Sequence, residues 1–179
     1  MPANPDRYWV VPNALLAGEY PVSYGDAEAR ERIEALLDDG VRSFVDLTES
    51  DDWEAYDTLL AALADERGVD VRYRRMAIRD RDVPTREHMA SVLAHIADEI
   101  REGRPVYVHC LGGIGRTGTV VGCWMVEKEG RTGADALARI AELRRDIAGR
   151  MRSPETRDQC RFVEDWPPDG FEETRRSRD

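Results

Sequence analysis

The chain has 179 residues, 41% hydrophobic and 35% charged, which fits one globular domain with a real core and excludes a mini-protein that needs staples. A net charge of -10 argues against nucleic acid as a partner, because a polyanion is repelled at long range. Three cysteines, Cys110, Cys123 and Cys160, are too few for a disulfide framework and point to a reducing, cytoplasmic setting.

Met1 to Arg7 lacks a basic stretch followed by an apolar one, so no signal peptide is expected. Tyr8 to Val11 and Ala14 to Ala17 read as two short strands around a Pro12-Asn13 turn. Asp26 to Leu37 reads as a helix with Ile33, Leu36 and Leu37 on one face, ended by Gly40. Val41 to Leu47 is β-rich, Thr58 to Arg67 helical, and Val69 to Ile78 a further strand. Thr85 is a good N-cap for a helix to about Glu102, whose apolar stripe is Met89, Val92, Leu93, Ile96 and Ile100.

Pro105 to His109 reads as a short apolar strand, followed by a glycine-rich turn, Gly112 to Gly118, and a buried helix, Thr119 to Glu127. The apolar run Thr119 to Val126 is too short to span a bilayer. Ala134 to Ala148 and Pro154 to Trp166 complete the helices, and residues 167–179 form a polar tail outside a domain of residues 1–166. Strands alternating with helices predict an α/β fold with a mostly parallel central sheet flanked by helices. In such sheets ligands sit beyond the carboxyl ends of the strands, where the turn after His109 falls.

That turn carries the chemistry. A tight bend between a strand and a helix aims backbone N–H groups into one concavity, and the helix dipole adds partial positive charge, so Leu111, Gly112, Gly113, Ile114, Gly115 and Arg116 form a candidate phosphate cradle. Arg116 can grip two oxygens at once. Cys110 stands at the mouth of the same nest, where the amides and Arg116 would favour its nucleophilic thiolate.

Cys110, five intervening residues, Arg116 and Thr117, with His109 before and glycines at 113, 115 and 118, resemble the signature loop of protein tyrosine and dual-specificity phosphatases. Ile78-Arg79-Asp80 with Val83-Pro84 resembles the acid loop about 30 residues ahead of that signature. Arg150 to Val163, with Ser153-Pro154 and Gln159, resembles the following segment of small atypical members, and Asp46-Leu47-Thr48 fits as well. Cyclin-dependent-kinase-associated phosphatases and their prokaryotic counterparts are the nearest such group.

The resemblance implies the roles. Cys110 forms a phosphocysteine, Arg116 binds the equatorial oxygens, and Asp80 is general acid and then base, with Asp82 the alternative. Thr117 supports the departing thiolate, His109 orders the loop, and Gln159 orients a water or is a polar residue on a surface helix. No metal or cofactor is implied.

Cys123 and Cys160 read as small buried hydrophobes. Trp53, Tyr56 and Tyr20 are rim candidates or core, and His88 and His95 have no third ligand nearby to make a metal site. Gly113 to Gly118 also spells G-x-G-x-x-G, but a dinucleotide reading leaves little chain for the second half of the fold and leaves Cys110 and Arg116 unexplained. The substrates expected are phosphorylated proteins or small phosphate esters, with a non-catalytic phosphate-binding module or a phosphoinositide enzyme as alternatives. The uncharged Leu111 to Ile114 weigh against the phosphoinositide.

Overall fold

A computed structural model describes residues 7–22, 26–52, 55–147 and 151–166. Trp53 and the tail 167–179 lie outside them. The strands are β1 (Arg7–Val11), β2 (Leu15–Gly18), β3 (Ser43–Asp46), β4 (Arg72–Arg75) and β5 (Val106–His109). The helices are α1 (Asp26–Asp38), α2 (Asp57–Glu66), α3 (Arg86–Arg101), α4 (Gly115–Glu129), α5 (Gly133–Leu143) and α6 (Arg157–Glu164). No described helix is long and apolar enough to cross a membrane.

The five strands form one sheet in the order β1-β2-β5-β3-β4. Only β1 and β2 pair antiparallel; every other pairing is parallel. The hairpin turns at Asn13, whose φ of 58° suits the short polar side chain of Asn. The predicted mostly parallel α/β sheet is therefore the architecture found.

Alternation along the strands sorts the core into two layers. Leu15, Ala17, Val45, Val106 and Val108 face α3 to α6. Leu16, Phe44 and Tyr107 face the opposite way, onto Ile33, Leu36 and Leu37 of α1 and Leu60 and Leu63 of α2. β5 is central and all four of its residues are buried, as a strand covered on both faces should be.

α4 begins at Gly115, four residues before the Thr119 read from sequence, so the arginine and three of the loop's residues belong to the helix itself. It is buried continuously from Gly115 to Val126 and packs against α3, α5 and α6. Gly122 makes the α6 contact possible, since a Cβ there would lie 2.7 Å from Val163 side-chain carbons. β4 is shorter than its apolar stretch suggested, and α5 and α6 are trimmed relative to expectation: α5 stops at Leu143, and Pro154 precedes α6 by three residues. Thr85, Thr132 and Thr156 each accept the N-capping bond of their helix.

Candidate active site

The parallel register aligns the carboxyl ends of the strands: His109 stands opposite Gly18 on one side and Asp46 on the other, and Asp46 opposite Arg75. The chain leaving β3 reaches Asp52, that leaving β4 reaches Asp80, and that leaving β5 reaches Cys110. Three loops far apart in sequence thus converge at one edge of the sheet.

Cys110 is 3% exposed, and residues 111–114 bend before α4 begins. Gly113 takes a φ of 63°, and a Cβ on it would meet the Gly18 carbonyl oxygen at 2.5 Å, so only glycine fits. Among the described residues, no backbone N–H from Leu111 to Arg116 donates to a backbone carbonyl; the first such donor in this helix is Gly118, to Ile114. Gly113, Gly115 and Arg116 are buried, and a buried amide without an acceptor is costly unless one is supplied. Here they belong to a helix N-terminus, where an anion supplies it. Meanwhile the loop's carbonyls are held from outside: Tyr20 N–H donates to Leu111 O (2.9 Å), Arg144 to Gly113 O (2.8 Å) and Ser153 Oγ to Ile114 O (2.7 Å).

Arg116 is 1% exposed, the largest fully buried side chain in the protein's described residues. Its Nη1 donates to Asp52 Oδ2 at 2.5 Å, Ile78 O at 3.1 Å and Leu47 O at 3.4 Å, and its Nη2 pairs with Asp80 at 3.0 Å. Burial opposes the charge, but the Asp52 bond and the electrostatic influence of Cys110, Asp52 and Asp80 outweigh it and raise the guanidinium's pKa. Burial likewise pushes the Asp52 carboxyl up, and the bonds from Arg116 and the Glu49 N–H more than reverse this, holding it below its ordinary value.

The two acid-loop carboxylates are separated by geometry. Asp80 reaches Arg116, whereas Asp82 Oδ1 accepts the N–H of Val83 at 2.8 Å and so serves its own turn. That turn is closed by Asp82 N–H to Arg79 O and takes Arg81 through a φ of 60°. Arg81 pairs with Glu155 at 2.8 Å, tying the acid loop to the segment before α6.

Gln159 is completely buried, which removes the surface-helix reading. Its Oε1 accepts from the N–H groups of Glu155 and Thr156, both at 3.1 Å, and its Nε2 donates to Asp82 O at 3.2 Å. It therefore fastens the acid loop to α6. The Thr117 hydroxyl is buried without a hydrogen-bond partner. Cys123 and Cys160 are buried free thiols, and burial pushes that of Cys123 well up.

Behind the loop lies a polar network. His109 is fully buried; its Nδ1 contacts Cys110 O at 3.2 Å and its Nε2 contacts the Tyr56 hydroxyl at 2.7 Å. A carbonyl can only accept, so Nδ1 carries the hydrogen and Tyr56 donates to Nε2. Burial holds the imidazole below its ordinary pKa, in the neutral form this pattern needs. Asp46 accepts from Thr48 N–H and Oγ1, Tyr73 and Arg75. Tyr20 and Tyr56 pack in this core rather than on a rim.

Asp52 and Tyr8 were not legible as site residues, and Tyr56, a rim candidate or core residue by sequence, supports the loop from the core through His109. Tyr8 is linked to the loop through Arg144, which lies over its ring and donates to Gly113 O; burial pushes its pKa up to about 12, with Arg144 opposing. Each arrives from another part of the chain, and no local motif marks it. Among the described residues no cluster of His, Cys, Asp or Glu suits a metal ion.

Residues 21–134 match the family described as "polymorphic toxin system, DSP-PTPase phosphatase". The chain belongs to that family. It is also 45% identical over 67 residues to receptor-type tyrosine-protein phosphatase R of Rattus norvegicus, a stretch covering 35% of this chain but 10% of that one. The chain thus matches only a small part of the receptor's length. Among solved structures, Tk-PTP in its active form superposes with a TM-score of 0.68 at 22% identity, covering 91% of this chain and 99% of that one. Kinase associated phosphatase, with serine in place of its catalytic cysteine, gives 0.67 at 14% identity, covering 89% and 91%. PTPMT1 in complex with PI(5)P gives 0.61 at 21% identity, covering 96% and 98%. These likenesses are of fold, and they agree with the mostly parallel sheet covered on both faces described above.

Proposed function

We propose that this chain hydrolyses phosphate monoesters on proteins, phosphotyrosine and phosphoserine or phosphothreonine, through a phosphocysteine intermediate. The observation that carries the reading is the convergence on one loop of Cys110, the buried Arg116 and a row of backbone N–H groups without acceptors. Family membership supports it.

In the first step the Cys110 thiolate attacks phosphorus, an S–P bond forms and the P–O ester bond breaks. The incoming phosphate ester takes the place of the Asp80 carboxylate on Arg116; Asp80, released from the ion pair, takes up a proton from solvent and gives it to the leaving oxygen. Arg116 and the amides of Leu111 to Arg116 bear the charge that spreads over the equatorial oxygens. In the second step water attacks the phosphocysteine, Asp80 takes its proton, the S–P bond breaks, and inorganic phosphate and the thiolate are released, the buried and unpartnered Thr117 hydroxyl serving as donor to the sulfur. His109 and Gln159 hold the loops, and this chemistry calls for no metal or cofactor. The catalytic unit is residues 1–166, and its free thiols suit a reducing compartment such as the cytoplasm.

Steady-state hydrolysis of p-nitrophenyl phosphate tests the reading. Turnover that disappears in Cys110→Ser, while phosphate still competes for binding, supports it. Turnover unchanged in that variant overturns it.

A further inference from the structure

The acid loop, residues 79–84, runs between β4 and α3, and residues 79–82 are exposed. Among the described residues, three bonds tie it to distant parts of the chain. Asp80 pairs with Arg116 at 3.0 Å, Arg81 pairs with Glu155 at 2.8 Å, and Gln159 Nε2 donates to Asp82 O at 3.2 Å. Asp82 N–H to Arg79 O and Val83 N–H to Asp82 Oδ1 are internal, so they fix the loop's shape and not its place.

The three ties are not equivalent. The Asp80 tie is the one a substrate removes, because the phosphate ester takes Arg116. The Arg81 tie joins side chains 67% and 27% exposed, and such a pair holds weakly in water. The Gln159 tie is buried, and both ends of its amide are engaged. Oε1 is fixed by the N–H groups of Glu155 and Thr156, the latter in a capping box at the start of α6, which leaves Nε2 directed at Asp82 O. The amide also lies against the cradle: a Cβ on Gly115 would stand 3.0 Å from Oε1 and 3.1 Å from Nε2. One side chain thus spans the acid loop, α6 and the first turn of the phosphate-binding helix.

We infer that Gln159 is a positioning residue for the general acid: its bond to Asp82 O keeps Asp80 at the cradle after the ester has displaced it from Arg116. The acid is needed at the moment its own ion pair is broken, and the buried amide bond is the tie that survives. Arg81 holds a φ of 60°, uncommon for a residue with a Cβ, so the turn depends on outside ties to keep its form. Only molecules with the loop in place protonate the leaving oxygen, so kcat/KM for esters that need the proton follows that fraction. Gln159 acts through Asp80, which separates it from a residue that orients the attacking water. This role rests on the phosphatase reading.

Gln159→Glu tests it. Glutamate also completes a capping box and accepts the same two N–H bonds, but an ionised carboxylate cannot donate to Asp82 O. Gln159→Met, which has no donor in any protonation state, is the second variant. In both, kcat/KM for phenyl phosphate should fall about tenfold, and that for p-nitrophenyl phosphate by about twofold at most, because nitrophenolate leaves with little help from an acid. In an Asp80→Asn background neither substitution should lower kcat/KM for phenyl phosphate further. A further loss there overturns the inference, as do equal losses on both esters or no loss on either. So does an unchanged kcat/KM with a lower kcat and a burst of p-nitrophenolate, the signature of a residue that orients water in the second step.

Amide hydrogen exchange of the unliganded full chain gives a readout independent of turnover. The amides of Asp80 to Val83 should exchange about tenfold faster in Gln159→Glu than in wild type, with those of α3 unchanged. Faster exchange supports the tie even where wild type hydrolyses neither ester and the phosphatase reading fails. Equal rates overturn it.

Discussion

Arg116 and Asp80, the groups assigned to phosphate binding and to proton transfer, meet as an ion pair at 3.0 Å. A side chain 1% exposed is thereby joined to one that stands 58% exposed on its loop. The pair places the acid at the cradle before any phosphate arrives, and a dianion competes for the same guanidinium.

Asp80→Asn should lower kcat by about 10²- to 10³-fold for esters with poor leaving groups, and much less for p-nitrophenyl phosphate. Asp82→Asn should leave kcat nearly unchanged, because Asp82 is engaged with Val83 N–H. The comparison of phenyl and p-nitrophenyl phosphate checks this, and the reverse pattern would make Asp82 the acid.

Asp52 holds Nη1 of Arg116 and through it the direction of the fork. Asp52→Ala should therefore reduce kcat/KM by about tenfold to a hundredfold, as misplacement of a phosphate-gripping group does. Because Asp52 does not touch the reacting atoms, Asp52→Glu should recover part of the loss. Weaker inhibition by vanadate or inorganic phosphate in Asp52→Ala would locate the defect in anion binding.

Gly113→Ala should fail for two reasons that add: φ is 63°, and the new methyl would lie 2.5 Å from Gly18 O and 2.7 Å from Glu19 N. A loss of about 2 kcal/mol or more in urea unfolding is expected, with activity at least tenfold lower. Gly112→Ala, whose nearest neighbour would be an Ile114 side-chain atom at 3.6 Å, should be mild in stability.

Tyr56→Phe removes the donor to buried His109 Nε2 and should cost about 1–3 kcal/mol.

Acid should destabilise the fold in two stages. Burial keeps His109 below the ordinary 6.5, so between its folded and unfolded values the unfolded chain binds a proton that the native chain does not. Its contribution is intact above 6.5 and declines as pH falls below it. His95 is depressed in the same sense by burial and by Arg74, so the measurement belongs in a His95→Gln background. The Asp46 carboxyl is raised by burial but held below 3.8 overall by its neighbour His109 and by the Tyr73 and Thr48 bonds, so its contribution is lost only at still lower pH. Tm followed from pH 8 to 3 should fall first below about 6.5 and again below about 4. A flat profile between 7 and 5 would contradict the buried neutral imidazole.

Much of this protein is written locally. Cys110 to Gly118 is legible because every group that acts on a phosphate there lies within one bend, where backbone geometry alone forces convergence. The apolar stripes of α1 and α3 and the apolar β5 follow from periodicity, and the Thr85 cap from its side chain. The helix start at Gly115 was read too late, since glycines usually signal a turn; here they admit Ser153, Pro154 and Val163 against α4. Asp52, Tyr8 and the bond from Tyr56 to His109 belong to the tertiary structure. They are remote from Cys110 in sequence, and only parallel pairing, which brings strand ends together from distant parts of a chain, and packing on α4 make them neighbours. Spacing alone nominated Cys110 and the bend after it as the candidate nucleophile and cradle. Which carboxylates meet Arg116 was decided by contacts that no local window of sequence contains.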